Sequence, residues 1–176
     1  ADFYTDMKRW SFPLQIYFMT HRVKSHRKIT EEASSAIQDR TIYEDANIFA
    51  RNLYEQGQLE ERDYRNYLEV YQVVTSTLQA PDLMIYLKKS LPRLQSQIKK
   101  RGRDYEQDLL MDYLANLNRY YDEWIDRYQI GKKLVIESDD LDFVANPQDF
   151  QKICAQVVDS LEQRDLFMDV LNASNL

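Results

Sequence analysis

The sequence predicts an α/β protein whose parallel sheet is covered by helices on both faces. Hydrophobic residues make up 44% of the 176 positions, enough for one sizeable core. Three short segments, residues 34–38, 83–87 and 134–136, are predicted as strands, and the last two are continuous apolar runs. Longer segments with apolar residues at helical spacing alternate with them, a pattern typical of a parallel sheet.

The first helix is predicted over residues 6–28. Phe12, Ile16 and Met19 recur there at the spacing of one helical face. Because proline lacks a backbone N–H, Pro13 is expected near the start of this helix.

The next two elements are a strand and a helix joined by a charged loop. Residues 34–38 are predicted as a short strand that runs into the Asp39–Arg40 pair. A helix is predicted over residues 43–56, and it should stop at Gly57. Charged side chains after a strand suit an active-site loop, although a surface salt bridge gives the same pattern.

A second helix in this region, residues 60–79, has an unusually broad apolar face. Tyr64, Leu68 and Tyr71 form one stripe, and Tyr67 widens it. This face is larger than one side of a core requires. An exposed apolar surface of that size indicates a subunit interface.

The second half of the chain continues the alternation of strands and helices. Pro81 introduces the apolar strand 83–87, and an acidic loop follows the strand 134–136. Helices are predicted over residues 91–100, 108–128 and 149–161.

Composition excludes several classes of protein. The chain has 23 Lys and Arg against 29 Asp and Glu, a formal net charge of −6, whereas binders of nucleic acid or anionic membranes carry a basic excess. Its apolar runs are too short to predict a transmembrane helix. The single cysteine, Cys154, allows no internal disulfide and fits a reducing compartment, so a cytoplasmic protein is expected.

The few glycines and metal-binding residues limit the chemistry that the chain can perform alone. Gly57, Gly102 and Gly131 lie too far apart to build a Gly-rich phosphate-binding loop. Two histidines and one cysteine are too few for a zinc cage. We therefore expect no metal ion bound directly by side chains.

Four stretches of the sequence carry a more specific signal when they are taken together. They are Trp10-Ser11-Phe12-Pro13-Leu14-Gln15 with Arg22, Asp39-Arg40-Thr41-Ile42-Tyr43-Glu44-Asp45 with Phe49, Arg101-Gly102-Arg103 with Glu106, and Asp142-Phe143. In order and spacing they resemble the deoxynucleoside kinase family, in particular its bacterial deoxyadenosine/deoxyguanosine kinase branch.

The resemblance implies a P-loop kinase-like fold, a three-layer α/β/α arrangement that is helix-rich around a parallel sheet. In that family the first strand, the Gly-rich phosphate loop and the end of the second strand precede the position that matches Ala1. We therefore expect residues 1–176 to form a single kinase domain that lacks this segment, and to be inactive alone. Segments 34–38 and 83–87 should flank the absent first strand.

The resemblance also implies roles in phosphoryl transfer from ATP. Asp39 would hold Mg²⁺ through water, and Arg40 would contact the acceptor oxygen and the transferred phosphoryl group. Arg101 and Arg103 would close over the phosphates as lid residues, although spacing alone favours a solvated basic loop. The family often has a further lid arginine where this chain has Gln97.

For the nucleoside, the resemblance assigns Gln15, Arg22 and Asp45 to the base edge. An amide offers both a donor and an acceptor, which suits an aminopurine or cytosine. Leu14 and Phe49 would sandwich the base, although plain core packing explains these two equally well. Glu44, beside Asp45, is expected to be exposed.

Four further residues complete the implied sites. Tyr4 and Glu106 would bind the 3′-hydroxyl of the sugar. Asp142 and Phe143 would lie near the adenine of ATP, largely through backbone groups.

The implied function is ATP-dependent phosphorylation of the 5′-hydroxyl of a deoxynucleoside in nucleotide salvage, with purine deoxynucleosides favoured. Two alternatives remain open: a nucleoside monophosphate kinase, and a non-catalytic helical dimerisation module. A homodimer is expected through helices 43–56 and 60–79. Its predicted contacts are Leu53, Tyr64, Leu68 and Tyr71.

Overall fold

The computed structural model describes residues 2–32, 35–102 and 111–173, apart from the side chains of Asp2, Tyr4 and residues 163–173. In chain order the elements are α1 (Asp2–Thr5), α2 (Met7–Glu31), α3 (Ile42–Glu44), a π-helical segment (Asp45–Ala50), α4 (Arg51–Glu55), α5 (Glu61–Thr75), β1 (Met84–Lys88), α6 (Leu91–Arg101), α7 (Met111–Arg127), β2 (Lys133–Glu137) and α8 (Pro147–Ala173). They form two compact units, one of Ala1–Gln79 with Leu110–Asp126, the other of Ala80–Leu109 with Arg127–Leu176.

Helix α2 confirms the first predicted helix but places its proline differently. The helix begins after Asp6, whose side chain accepts a hydrogen bond from the backbone N–H of Arg9 at 3.1 Å. Pro13 lies inside the helix instead of in its first turn. The missing N–H leaves the Arg9 carbonyl without its usual partner, so the expectation for Pro13 was wrong.

The helical stretch from Ile42 to Glu55 matches the predicted extent but is irregular in its middle. Its central six residues, Asp45–Ala50, are π-helical. A π-helical turn holds one residue more than an α-helical turn, and such turns occur frequently at functional sites. The stretch ends before Gly57, whose φ of 67° suits glycine.

The core of the first unit is built by this stretch together with α2, α5 and α7. Leu53 is only 6% exposed and lies in this core, so its predicted place in a subunit interface is wrong, because a side chain that packs inward offers no surface to a partner. The other core residues include Met19, Ile42, Tyr43, Ala46, Ile48, Leu59, Tyr67, Tyr120, Trp124 and Ile125.

The second unit contains two parallel strands. β1 and β2 pair in register, with Met84 opposite Lys133 and Lys88 opposite Glu137, which confirms the strands predicted over residues 83–87 and 134–136. Side chains alternate between the two faces of a strand, so Met84 is buried while the next residue, Ile85, stays partly exposed on the other face.

Residues 35–38 do not form the predicted strand, and residue 34 lies outside the described residues. Ile37 is 98% exposed and buries almost no apolar surface. A strand needs a neighbour to satisfy its backbone groups, and no described segment pairs with this one. Across the described ranges, none of the helices is long and apolar enough to cross a membrane.

Candidate active site

Three elements of the first unit meet around a group of buried polar side chains. α2 packs against both α5 and the π-helical segment. Gln15 and Arg22 lie two turns apart on α2, and Asp45 begins the π-helical segment. All three residues therefore belong to the same compact unit.

Arg22 and Asp45 form an ion pair in this region. The Nε of Arg22 lies 3.5 Å from Oδ2 of Asp45, and the two side chains are 26% and 6% exposed. The Nη1 of Arg22 donates to the backbone carbonyl of Asp39 at 3.3 Å. This second contact fixes the guanidinium between the π-helical segment and the loop that carries Asp39.

Several buried polar atoms of the first unit have no hydrogen-bond partner. They include Nε of Arg22, Oδ2 of Asp45 and Oε1 of Gln15, whose side chain is only 3% exposed. A buried polar atom left without a partner costs free energy, so such atoms are rare in folded proteins. The arrangement offers two acceptors and one donor to a ligand with complementary groups.

The environment of Asp45 shifts its protonation. Burial raises the pKa of this carboxyl to about 6, and the neighbouring Glu44 adds to the rise, while Arg22 and Arg40 oppose it. Asp45 is thus mostly ionised at neutral pH. Titratable groups perturbed by burial and a specific charge are typical of functional sites.

Glu44 stands next to Asp45 but has a structural role. Its carboxylate accepts from both the backbone N–H and the hydroxyl of Thr41, and the Thr41 hydroxyl accepts from the backbone N–H of Tyr43. This is a capping box at the start of α3. Glu44 is buried, so the expectation of an exposed side chain was wrong.

Arg40 and Phe49 are brought into contact. The guanidinium carbon of Arg40 lies 5.0 Å from the centroid of the Phe49 ring, a cation–π distance. Tyr121 of α7 meets the same ring edge-on, with centroids 6.5 Å apart. The resemblance assigned Arg40 to the phosphate and Phe49 to the base, so it does not predict this contact.

The backbone of Arg40 adopts an unusual conformation. Its φ is 61°, in the left-handed region that non-glycine residues rarely enter. Strain of this kind is concentrated at binding and catalytic sites. Asp39 and Arg40 are both exposed, so the loop presents a carboxylate and a guanidinium to solvent.

The remaining predicted residues of the first unit are only partly described. Leu14 is half-buried on α2, consistent with either a base contact or packing. Tyr4 lies in α1, but its side chain, like Arg103 and Glu106, lies outside the described residues.

The second unit carries Arg101, Asp142 and Phe143. Arg101 is the last residue of α6 and precedes Gly102, whose φ is 64°. The Asp142 carboxylate accepts from the backbone N–H of Ala145 at 3.0 Å, so it shapes its own turn. The Asp142 backbone N–H donates to Asp149 at 3.1 Å and lowers the pKa of that carboxyl. Phe143 is half-buried.

Sequence reasoning missed Tyr67 and Tyr121 as neighbours of the polar group. Tyr67 is fully buried on α5, yet its hydroxyl has no hydrogen-bond partner. Burial raises the pKa of Tyr121 to about 12. In the sequence Tyr67 belongs to an apolar stripe, and only its hydroxyl signals a polar environment. No group of three or more His, Cys, Asp or Glu within the described ranges is arranged to hold a metal ion.

Comparison with known proteins identifies the architecture. The family model described as deoxynucleoside kinase matches residues 1–162. The deoxyadenosine/deoxycytidine kinase of Bacillus subtilis (strain 168) is 33% identical, over 88% of this chain and 72% of its own length. The deoxyguanosine kinase of Lactobacillus johnsonii is 34% identical, over 95% of this chain and 78% of its own. The solved structure of deoxyadenosine kinase from M. mycoides with bound dATP superposes with a TM-score of 0.70 at 31% identity, covering 97% of this chain and 79% of that chain.

A helix-rich chain with a small parallel sheet that matches deoxyadenosine kinases in this way has the P-loop kinase fold. The chain belongs to the deoxynucleoside kinase family. Its named relatives are phosphotransferases, so this protein is an enzyme of the transferase class, and the resemblance seen in the four sequence stretches is confirmed.

Proposed function

We propose that the protein transfers the γ-phosphoryl group of ATP to the 5′-hydroxyl of a purine deoxynucleoside, in nucleotide salvage. The observation that carries this proposal is the group of Gln15, Arg22 and Asp45, in which Oε1 of Gln15, Nε of Arg22 and Oδ2 of Asp45 are buried without a hydrogen bond. These are the positions that the family resemblance assigns to the base.

The donors and acceptors of this group suit a base that carries an amino group. Ionised Asp45 and the Gln15 carbonyl oxygen accept hydrogen bonds from an exocyclic amine. The Nε–H of Arg22 donates to a ring nitrogen or carbonyl of the same edge. Thymine has no exocyclic amine, so it would leave acceptors unsatisfied in a buried pocket, at a cost in affinity.

Phosphoryl transfer depends on positioned charge more than on covalent chemistry. Arg40, exposed on its loop beside Asp39, supplies a cation for the transferred group, and Arg101 is proposed as a lid residue with Arg103. Asp39 fits a water-mediated contact to Mg²⁺, because its carboxylate is exposed and Mg²⁺ usually keeps several waters. Mg²⁺, when bound, neutralises charge on the phosphates. Asp142 and Phe143 are proposed to lie near the adenine of ATP, and Tyr4 with Glu106 at the sugar.

The test is a steady-state assay of the full-length protein with ATP and Mg²⁺. Deoxyadenosine, deoxyguanosine, deoxycytidine and thymidine are compared as acceptors, with deoxyadenosine monophosphate as a fifth. Phosphorylation of the purine deoxynucleosides is expected, and turnover of the monophosphate alone would favour a nucleoside monophosphate kinase. No turnover of any acceptor would favour a non-catalytic module.

A cytoplasmic homodimer is proposed on a separate observation. On α5, Val70 and Val73 are exposed, Val73 to 69%, and Leu68 and Tyr71 beside them are only half-buried. Tyr64 is already stacked on Tyr54, with centroids 4.5 Å apart, and contributes less. Light scattering at micromolar concentration should give twice the chain mass, and Val73→Glu should reduce it to one.

A further inference from the structure

Tyr67 has a feature that its position in the core does not explain. The residue is 0% exposed, and its hydroxyl has no hydrogen-bond partner. A phenylalanine would bury the same ring without the cost of desolvating a hydroxyl. The hydroxyl therefore needs a role of its own.

The position of Tyr67 relates it to the polar group of the site. It lies in the middle of α5, which packs against both α2 and the π-helical segment. Burial raises the pKa of the Tyr67 hydroxyl, and the negative charge of Asp45 raises it further. The hydroxyl therefore stays protonated and able to donate throughout the physiological range.

The unpartnered atoms of Asp45 and Tyr67 are complementary. Oδ2 of Asp45 is a buried acceptor whose nearest donor is the Nε of Arg22 at 3.5 Å, longer than an ordinary hydrogen bond, so it can accept a further one. The Tyr67 hydroxyl is a buried donor without an acceptor. A hydrogen bond between them would satisfy both atoms at once.

We propose that Tyr67 is a positioning residue of the base site, whose hydroxyl donates to Oδ2 of Asp45 in the working enzyme and so orients that carboxylate toward the base. The inference rests on the proposed function for its catalytic consequence, although the contact itself does not.

The charged and titratable groups around Asp45 define what the hydroxyl adds. Arg22 faces it from α2, Arg40 from the preceding loop, and Glu44 is its neighbour in the chain. Tyr67 lies on α5 and Tyr121 on α7, and the charge of Asp45 contributes to the raised pKa of both hydroxyls. A donor to the carboxylate favours its ionised form, so loss of the Tyr67 hydroxyl should make Asp45 harder to ionise.

The test compares Tyr67→Phe with a matched control, Tyr71→Phe, in the full-length protein. Tyr71 lies one turn further along α5, and its hydroxyl faces the amide of Asn47 at 3.5 Å. The ¹³C-carboxyl signal of Asp45, assigned with Asp45→Asn, is titrated in both variants and in the parent. We expect the midpoint to rise by about one pH unit in Tyr67→Phe and to stay in place in Tyr71→Phe.

Activity gives a second readout. With deoxyadenosine, the pH at which kcat/KM falls on the acid side should rise in Tyr67→Phe by the same amount as the carboxyl midpoint. The variant should therefore lose about tenfold in kcat/KM below pH 6 and almost nothing above pH 8. A structural role alone would lower activity equally at every pH. An unchanged carboxyl midpoint overturns the proposal whether or not the enzyme is active, whereas an inactive parent with a shifted midpoint overturns only the proposed function.

If Tyr67→Phe does not fold, the hydroxyl proton of Tyr67 is observed by NMR in the parent chain. A hydrogen bond to a carboxylate shifts this proton downfield, and Asp45→Ala should reverse the shift. The same chemical shift in both proteins would refute the contact.

Discussion

The charged side chains at the two ends of the helical stretch from Ile42 to Glu55 differ in whether their polar atoms have hydrogen-bond partners. At its far end Arg51 binds Glu55 and Glu123, each at 2.7 Å. Arg119 binds Glu123 at 3.0 Å, and the hydroxyl of Tyr120 donates to Glu55. Every one of these side chains has a partner of opposite charge or a hydrogen bond.

Near its beginning, Asp45 and Arg22 are 3.5 Å apart, and each retains a buried atom without a hydrogen bond. The first cluster is therefore complete within the protein, while the second is not. A satisfied network contributes to stability, whereas unsatisfied buried groups lower stability and become useful only when a ligand binds. The comparison separates residues that hold the fold from residues that we propose to bind the substrate.

The largest effect should come from Asp45→Ala. With deoxyadenosine, kcat/KM should fall by about 100-fold, or ~3 kcal/mol of transition-state stabilisation, while the free energy of unfolding stays the same or rises. Steady-state kinetics and urea unfolding check this, with the exposed Glu69→Gln on α5 as a control.

Combining Asp45→Ala with Arg22→Met should cost less than the two single losses added, because each single change leaves the other charge unpaired. The double variant should also shift preference toward thymidine. If Asp45→Ala keeps the purine preference and the rate of the parent, this carboxylate only interacts favourably with the start of the helix and does not bind the base.

Stability should depend on pH through the same carboxyl. Burial raises the pKa of Asp45 to about 6 in the folded state, against 3.8 as its ordinary value. The folded state therefore binds the carboxyl proton of Asp45 more tightly than the unfolded state. The stability that this proton contributes is full below pH 4 and is lost as pH rises through 6. We expect a loss of ~3 kcal/mol over that interval.

Asp45→Asn should remove this loss, so its free energy of unfolding relative to the parent should increase from pH 4 to pH 7. Chemical denaturation at four pH values measures it. A constant difference between the two proteins would mean that Asp45 is not buried as an unsatisfied charge.

Arg51→Met should give the opposite pattern to Asp45→Ala. It removes the centre of the satisfied network and leaves two carboxylates close together, so we expect a loss of about 1–2 kcal/mol in unfolding free energy. Because Arg51 is at the other end of the stretch, kcat/KM should change less than twofold. A large loss of base discrimination in Arg51→Met would contradict the claim that the Arg51 network stabilises the fold without contributing to base recognition.

The smallest effect should come from Glu44→Ala, one residue from Asp45. The capping box with Thr41 is lost, at a cost of about 1 kcal/mol, while the order of preference among the four deoxynucleosides is retained. Thermal unfolding and the four-substrate assay check this. A changed preference would show that Glu44 also serves the base pocket.

The sequence supports those parts of the fold that depend on local periodicity. The helices and the strands around Met84 and Lys133 follow from spacing of apolar residues. Residues 35–38 failed as a strand because strand formation depends on a neighbour elsewhere in the chain, which periodicity does not reveal.

For the candidate site, motif spacing singled out Gln15, Arg22 and Asp45, but it could not show whether their polar atoms have hydrogen-bond partners. Glu44 and Asp45 look alike in sequence, yet one caps a helix and the other keeps a buried carboxylate oxygen without a hydrogen bond. Tyr67 looked like an apolar stripe residue because a tyrosine ring fits a core as well as a phenylalanine ring. Only the three-dimensional arrangement shows that its hydroxyl has no partner.

The π-helical segment Asp45–Ala50 has a consequence for insertions and deletions in the gene. Because a π-helical turn holds one extra residue, removing one codon after Asp45 would convert the segment to ordinary α-helix while the residues on either side keep their register. Asp45 would then still meet Arg22, and the pairs of Arg51 would also stay in place. The same loss of three nucleotides in the regular helix α5 would rotate its two halves by about 100° relative to each other.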